Sequence, residues 1–228
     1  MSKAGQGLPG LAADRARALT LAPISDNILI KLDKFVDHLL QWQRKINLVA
    51  PSTLSHLWTR HIADSLQLLD LVPAGPLTWV DFGSGGGFPG IPIACALAER
   101  SGTMVHLIES NGKKSAFLRE AVRNLELPAT VHAQRAEDFG ETWPETAQVL
   151  SARALAPLKL LCDQAFPLIN RGAIGLFPKG QDVDAELTEA AKYWSIQAEM
   201  VPSRTSPEGR IVVVRGLERR AATAPAKV

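Results

Sequence analysis

The chain has 228 residues, of which 46% are hydrophobic, and its charged side chains nearly balance at a formal net charge of +2. This length accommodates one domain with a modest extension, and the hydrophobic content can fill a substantial core. No run approaches the roughly 18 consecutive apolar residues of a membrane span, and no signal peptide is visible. These features exclude membrane and secreted classes and predict a cytoplasmic protein with no membrane partner. Cys95 and Cys162 form neither a zinc motif nor a disulfide framework, so we expect buried free thiols and no metal site.

The first 72 residues are predicted to be a tail followed by helices. Residues 1–20 are small, glycine-containing and aperiodic, which is typical of a flexible tail. A helical N-terminal extension is predicted over residues 21–72. Its first helix is capped by Ser25 or Asp26 and runs to about Gln43, because its apolar residues recur at helical spacing. A second helix is predicted over Leu54–Leu71.

The polar face of that second helix carries several groups that can act together. His61 and Asp64 stand three positions apart, a spacing at which helical side chains can pair. An ordinary exposed helix surface is the alternative interpretation.

A glycine-rich stretch, WVDFGSGGGFPG over Trp79–Gly90, organises the rest of the chain, predicted to be one domain over residues 73–228. A short apolar strand precedes it, and a helix over Ile91–Arg100 is predicted to follow. Five glycines in eight residues disfavour regular structure but suit a tight turn that a ligand approaches closely at a helix N-terminus. Strand, glycine loop and helix together predict the nucleotide-binding corner of a doubly wound α/β domain.

Asp81 bears on which nucleotide this corner binds. The spacing Gly85-x-Gly87-x-x-Gly90 also fits a dinucleotide, but a carboxylate beside the loop would repel a pyrophosphate. The same carboxylate suits S-adenosylmethionine, which carries a sulfonium and an ammonium group. The alternative is a turn residue that caps its own loop.

Further candidates follow the later strands, since ligands bind at the carboxyl ends of parallel strands. Glu109 ends a strand that begins at Met104, lies 22 residues past Gly87 and is predicted to bind ribose hydroxyls. Its alternative role is a surface cap for the helix that begins near Lys113. Ala136 and Glu137 follow a third strand and are candidate adenine contacts, or part of an ordinary polar loop. Arg153 follows a fourth strand and projects towards the same crevice.

The last part of the chain is predicted to complete the sheet. A helix over residues 157–169 leads to a fifth strand, Ala173–Phe177, with Lys179 at its tip. Ile211–Arg215 closes the sheet, antiparallel to a strand near Ile196–Met200. The basic character of the chain from Val201 onward can serve phosphate binding or be solvated surface charge.

Seven motifs, in this order, resemble one known family. They are WQRKINLVAPS, TRHIADSL, VDFGSGGGFPGIPIA, LIESNGKKSAFLREA, the Ala136-Glu137 loop, SARA and FPKG. Together they are similar to the bacterial 16S rRNA guanine-N7 methyltransferase family, RsmG, also called GidB. The resemblance covers roughly residues 24–215.

This resemblance implies a Rossmann-like α/β methyltransferase with a small N-terminal helical extension. It implies methyl transfer from S-adenosylmethionine to N7 of a guanine in the 530 loop of 16S rRNA. By motif, the cofactor contacts are Gly83, Phe88, Ala136, Glu137 and Arg153; residue-level reasoning adds Asp81, Gly85 and Glu109. We expect a monomer that acts on 16S rRNA or on a small-subunit particle.

The candidate RNA contacts are basic residues: Arg44, Lys45, Arg60, Lys179, Arg204 and Arg210. No catalytic acid or base is expected, because guanine N7 has a free lone pair and no proton to remove. Two other functions stay open. One is an NAD-linked oxidoreductase, disfavoured by Asp81; the other is a non-catalytic RNA-binding module, disfavoured by the intact glycine loop.

Overall fold

A seven-stranded sheet in the order β3-β2-β1-β4-β5-β7-β6 forms the centre of the computed structural model, which describes residues 10–220. The strands are β1 (Thr78–Phe82), β2 (Met104–Ile108), β3 (Ala129–His132), β4 (Val149–Ala152), β5 (Ile174–Lys179), β6 (Trp194–Pro202) and β7 (Arg210–Arg219). The pairs among β1 to β5 are parallel, whereas β7 pairs antiparallel with both β5 and β6. The strand order reverses between β1 and β4, the point at which such sheets bind ligands.

Helices cover both faces of this sheet. They are α1 (Leu11–Leu21), α2 (Asp26–Gln43), α3 (Asp64–Leu66), α4 (Gly90–Ala96), α5 (Gly112–Asn124), α6 (Ala136–Thr142), α7 (Leu158–Ile169) and α8 (Val183–Ala190). Alternate strand residues point to opposite faces, so Trp79 joins a core with α2, α4 and α5, while Val80 joins a second core with α6 and α7. The predicted α/β fold class is confirmed.

The N-terminal helices share the first of these cores. The buried face of α2, which includes Leu32, Phe35 and Leu39, lies in one apolar cluster with Trp79 and Phe117 of the sheet domain. The periodicity that predicts this helix therefore also identifies the face that packs. The helical extension covers one side of the sheet and stands close to the glycine loop.

The predicted tail is wrong for residues 11–20, which form most of α1. The helix has only a weak amphipathic pattern, but a buried carboxylate, that of Asp14, ties it to the irregular part of the chain. The Asp14 carboxylate accepts hydrogen bonds from the amides of Trp58 and Thr59, at 2.8 and 3.1 Å, and from the Thr59 hydroxyl. Residues 1–9 of the predicted tail, and residues 221–228 of the predicted domain, lie outside the described residues.

The predicted second helix is irregular. A 3-10 helix (Pro51–His56), a π-helix (Trp58–Ala63), α3 and another 3-10 helix (Gln67–Leu71) follow one another along it. We call Pro51–Leu71 the irregular segment. π-Helical turns are uncommon and occur often at functional sites, and this one carries Arg60 and His61.

Other boundaries differ by a few residues, and two helices besides α1 were not predicted. α4 ends at Ala96 rather than Arg100, and both α6 and α8 form where a loop or no element was expected. Cys95 and Cys162 are buried free thiols, as predicted, and burial raises the pKa of each to about 12. Among residues 10–220, no helix is both long and apolar enough to cross a membrane.

Candidate active site

A cavity of about 1220 Å³ opens beside the carboxyl ends of β1, β4 and β5. Its walls come from the glycine loop, the irregular segment, the loop between β4 and α7, and the hairpin loop between β6 and β7. It exceeds the roughly 300–1,000 Å³ of a typical small-molecule site, so it has room for a cofactor and part of a second ligand.

The glycine loop needs its glycines for both conformation and space. Gly83 has φ +65°, and a Cβ there would lie 2.5 Å from Cδ1 of Leu155 across the cavity. Hydrogen bonds hold the turn, from the Ser84 amide to the Ile108 carbonyl at 3.0 Å and from the Gly87 amide to the Ser84 carbonyl at 2.7 Å. Hydrogen bonds therefore fix the loop, and at Gly83 and Gly85 it is bare backbone that lines the cavity.

Asp81 lies behind this loop, not on the cavity. Its side chain is fully buried, with the Ser151 hydroxyl donating at 2.7 Å and the Gly90 amide at 3.2 Å. Burial raises the pKa of this carboxyl to about 6, against the lowering effect of these hydrogen bonds. Asp81 stands two residues after Trp79 in β1, so its side chain points to the same face of the sheet and lies in the layer beneath α4. It stabilises the loop, as its alternative interpretation proposed, and is not among the residues that line the cavity. Binding of the cationic cofactor by Asp81 stays a prediction.

Glu109 is also tied to the loop. One carboxylate oxygen accepts the Gly85 amide at 2.9 Å, and the other accepts the Asn111 amide at 2.7 Å. The residue is buried, and Asn111 caps α5, so the alternative of a surface capping Glu is wrong. Ribose binding by Glu109 stays a prediction.

Ala136 and Glu137 begin α6 rather than lying in a loop. Ala136 is buried, and the exposed Glu137 carboxylate accepts a hydrogen bond from the Gln164 amide at 2.7 Å. Neither is among the residues that line the cavity. Their adenine contacts therefore stay predictions.

Arg153 lies in the cavity wall, where it contacts both the irregular segment and Phe88 of the glycine loop. Its guanidinium lies 2.7 Å from Nδ1 of His61, donates to the Arg60 carbonyl at 3.0 Å, and pairs with Asp64 at 3.6 Å. It also lies 5.2 Å from the centre of the Phe88 ring, which is within range of a cation–π contact. Although Arg153 is predicted from its place after β4, these partners are not.

His61 therefore contacts Arg153, and its predicted pairing with Asp64 is wrong. Its ring stacks on Phe88 with centroids 4.8 Å apart. Burial, and then the charges of Arg153 and Arg60, lower the pKa of His61 to about 3. Asp64 instead accepts from Gln67 at 2.8 Å and from Thr205 at 2.6 Å, which ties the hairpin loop to the irregular segment.

The predicted RNA contacts differ in how free their charges are. Arg44, Lys45 and Arg60 are exposed, and Arg60 lines the cavity. Arg204 pairs with Asp70 at 2.6 Å yet keeps 45% of its side chain exposed. Arg210 lines the cavity and donates to carbonyls of its own hairpin loop.

Lys179 is the exception among them. Its side chain is only 9% exposed, and its ammonium pairs with Glu186 at 2.7 Å and donates to the Ala156 carbonyl at 2.8 Å. Its charge is therefore paired within the protein, and RNA contact by Lys179 stays a prediction. Glu186 also accepts from the Leu158 amide at 2.6 Å, so the pair holds the loop between β4 and α7 in place.

Solved structures share this fold. An O-methyltransferase from Bacillus cereus in complex with SAH has a TM-score of 0.57 at 15% identity, covering 89% of this chain and 96% of that chain. A putative O-methyltransferase from Klebsiella pneumoniae has a TM-score of 0.56 at 10% identity, with the same coverage. At these identities the likeness concerns the fold alone.

Sequence relatives give the family. A chain from Bradyrhizobium sp. (strain ORS 278), named Ribosomal RNA small subunit methyltransferase G, is 56% identical over 92% of this chain and 94% of its own length. A chain of the same name from Nitrobacter winogradskyi is 53% identical over 93% of this chain and 76% of its own length. The family model for GidB, rRNA small subunit methyltransferase G, matches residues 28–212. The resemblance drawn from the seven motifs is confirmed, and the chain belongs to the rRNA small subunit methyltransferase G (GidB) family.

Proposed function

We propose that this chain transfers a methyl group from S-adenosylmethionine to N7 of a guanine in the 530 loop of small-subunit rRNA. The observation that carries the proposal is the bare glycine backbone of Gly83 and Gly85, which opens into a cavity rimmed by Arg60, Arg153 and Arg210. Membership of a family named for methylation of small-subunit rRNA supports the coarser activity. The guanine, its N7 atom and the 530 loop come from the motif resemblance alone.

The residues present fit the cofactor. Leu155 already fills the space that a Cβ at Gly83 would need, so only glycine fits there, and the loop presents bare backbone where it lines the cavity. Gly83, Gly85 and Phe88 would hold the cofactor from the cavity side, with Glu109, Ala136 and Glu137 as the predicted nucleoside contacts and Arg153 opposite the loop. When bound, S-adenosylmethionine supplies an electrophilic methyl group on a sulfonium.

The residues of this chain have only to position the base. Guanine N7 carries an in-plane lone pair and no proton, so no side chain needs to accept one. The base must leave its stack and enter the cavity, as single-stranded loop bases do when proteins read or modify them. The half of the cavity between Arg153 and the hairpin loop, lined by Thr205, Ser206 and Pro207, is the part available to it.

The rim supplies the charge that an RNA loop requires. Arg60 and Arg210 line the cavity, and Arg44, Lys45 and Arg204 are exposed basic residues outside its lining. Lys179 is left out of this set because its charge is paired. We expect a monomer that works in the cytoplasm on 16S rRNA or on an assembling small-subunit particle.

Mapping N7-methylguanine on small-subunit rRNA from cells with and without this protein tests the proposal. Loss of one modified guanine in the 530 loop supports it, and an unchanged map contradicts it. Titration of the purified protein with S-adenosylmethionine and with NADH separates it from an oxidoreductase. Transfer of label from the methyl donor to RNA separates it from a non-catalytic RNA-binding module.

A further inference from the structure

His61, in the irregular segment, contacts two predicted cofactor residues at once. Its ring stacks on Phe88 at 4.8 Å, and its Nδ1 lies 2.7 Å from a guanidinium nitrogen of Arg153. It is 9% exposed and lines the cavity. Catalysis as proposed gives His61 no task, since no proton is transferred, so its burial at this point needs another explanation.

The hydrogen bonds of His61 determine its protonation. A guanidinium can only donate, so Nδ1 must accept from Arg153 and carries no proton. The other ring nitrogen, Nε2, lies 2.9 Å from the Thr53 hydroxyl and is therefore the protonated atom, which donates to it. The ring is thus a neutral acceptor facing Arg153, and its pKa near 3 agrees with this state.

The other contacts of Arg153 do not duplicate this one. The Arg60 carbonyl accepts a hydrogen bond from the other guanidinium nitrogen, Nη1. Oδ2 of Asp64 lies 3.6 Å from that same nitrogen, beyond ordinary hydrogen-bond distance. Removal of the His61 acceptor would therefore leave one guanidinium nitrogen without a partner and free the side chain to turn. Since Phe88 packs against the same ring, both contacts on this wall depend on His61.

We propose that His61 is a positioning residue, which holds Arg153 and Phe88 in the arrangement that binds the cofactor. The proposal rests on the proposed function and deepens it. This role also explains the π-helical turn, which carries both Arg60 and His61. Arg60, a predicted RNA contact, is exposed, whereas the next residue, His61, is buried against Phe88 and Arg153.

Calorimetric titration with S-adenosylhomocysteine, which binds without turnover, tests this role. His61→Phe keeps a ring against Phe88 but removes the acceptor, and we expect about tenfold weaker binding, as for one lost hydrogen bond to a charged group. His61→Asn places an amide oxygen near the position of Nδ1, and we expect it to restore most of that loss. The exposed His56→Ala is the matched control and should bind like the wild type.

A double-mutant cycle separates positioning from general structural support. If His61 acts through Arg153, adding His61→Phe to Arg153→Ala should change the affinity by less than about twofold. Wild-type affinity in His61→Phe, or full additivity in the double variant, overturns the inference and leaves the proposed function standing. Absence of binding to the wild-type protein overturns both.

Nitrogen NMR of the wild-type protein tests the same inference without relying on the folding of a variant. We expect Nδ1 of His61 to be unprotonated and Nε2 to be protonated throughout pH 5–9. A proton on Nδ1 would show that the ring does not accept from Arg153 and would overturn the inference.

Discussion

The carboxylate of Glu109 accepts a hydrogen bond from the amide of Gly85 at 2.9 Å, which joins the end of β2 to the middle of the glycine loop. The same carboxylate accepts the Asn111 amide at 2.7 Å, so one side chain organises the loop and the start of α5. We expect Glu109→Ala to weaken S-adenosylmethionine binding by about ten- to a hundred-fold, the effect of losing a hydrogen bond to a charged group of roughly 1.5–3 kcal/mol.

Calorimetry on Glu109→Ala checks this, with the exposed Glu199→Ala as control. Thermal unfolding of the same variants shows whether the loss comes with a less stable loop. An affinity change below about twofold would reduce Glu109 to a structural residue with no part in cofactor binding.

Gly83 is expected to tolerate no β-branched residue. In Gly83→Val the side chain meets Leu155, and a β-branched residue must adopt φ +65°, a region that such residues rarely enter. We expect cofactor binding to fall at least about tenfold, with a loss of stability of roughly 1–3 kcal/mol from backbone strain. Gly112→Val at the start of α5 is the control, since a Cβ there meets nothing within 4 Å. Equal affinities for the two variants would remove the loop from the site.

Local patterns predict much of the fold and the position of the site. The apolar spacing in α2, the glycines after β1 and the acidic residue after β2 are each encoded within a few residues, so sequence alone finds them. Arg153 follows in the same way, because every parallel strand ends at the same edge of the sheet.

Contacts between distant parts of the chain account for what the sequence does not predict. The partners His61 and Arg153 are 92 positions apart, and Asp64 and Thr205 are 141 positions apart. No local pattern links such pairs. For the same reason α1 looks disordered, since its buried Asp14 bonds to amides more than 40 positions away. Lys179 looks free in the sequence for another reason, since its partner Glu186, 7 positions away, lies in α8, which was not predicted.

RNA affinity should depend on salt through the exposed basic residues. Because neutralised phosphates release counterions, Arg44→Ala, Lys45→Ala and Arg60→Ala should each reduce the slope of log affinity against log salt by roughly 0.7–1. Cofactor affinity should stay unchanged in the Arg44 and Lys45 variants.

Lys179→Met should leave the slope unchanged but lower the free energy of unfolding, because Glu186 loses its partner. Filter binding at several salt concentrations, with urea unfolding beside it, measures both. A flattened slope in Lys179→Met would show that Lys179 contacts RNA in spite of its ion pair with Glu186.

The buried Asp81 predicts a pH dependence of stability. Its pKa is raised from 3.8 to about 6, so between these values the folded state binds a proton that the unfolded state has released. The stability that this group contributes is therefore greatest below pH 4 and falls as the pH rises through 6, by on the order of 3 kcal/mol. Relative to Asp81→Asn, the wild type should lose free energy of unfolding between pH 4.5 and 7.5. The exposed Asp138→Asn is the control, and a constant difference for Asp81→Asn would contradict the raised pKa.

The chemistry is expected to proceed without a histidine base. His61 has a pKa near 3, so it stays neutral from pH 6 to 9, and its Nδ1 lone pair already accepts from Arg153. His56 is exposed and is not among the residues that line the cavity. Single-turnover methyl transfer with saturating RNA and cofactor should therefore give similar rates and similar pH profiles for the wild type, His56→Ala and His61→Ala. Saturation matters for His61→Ala, because its expected defect lies in cofactor affinity rather than in the methyl-transfer step. A rate that collapses in either variant while both ligands remain bound would establish a proton-transfer step and refute a mechanism based on positioning alone.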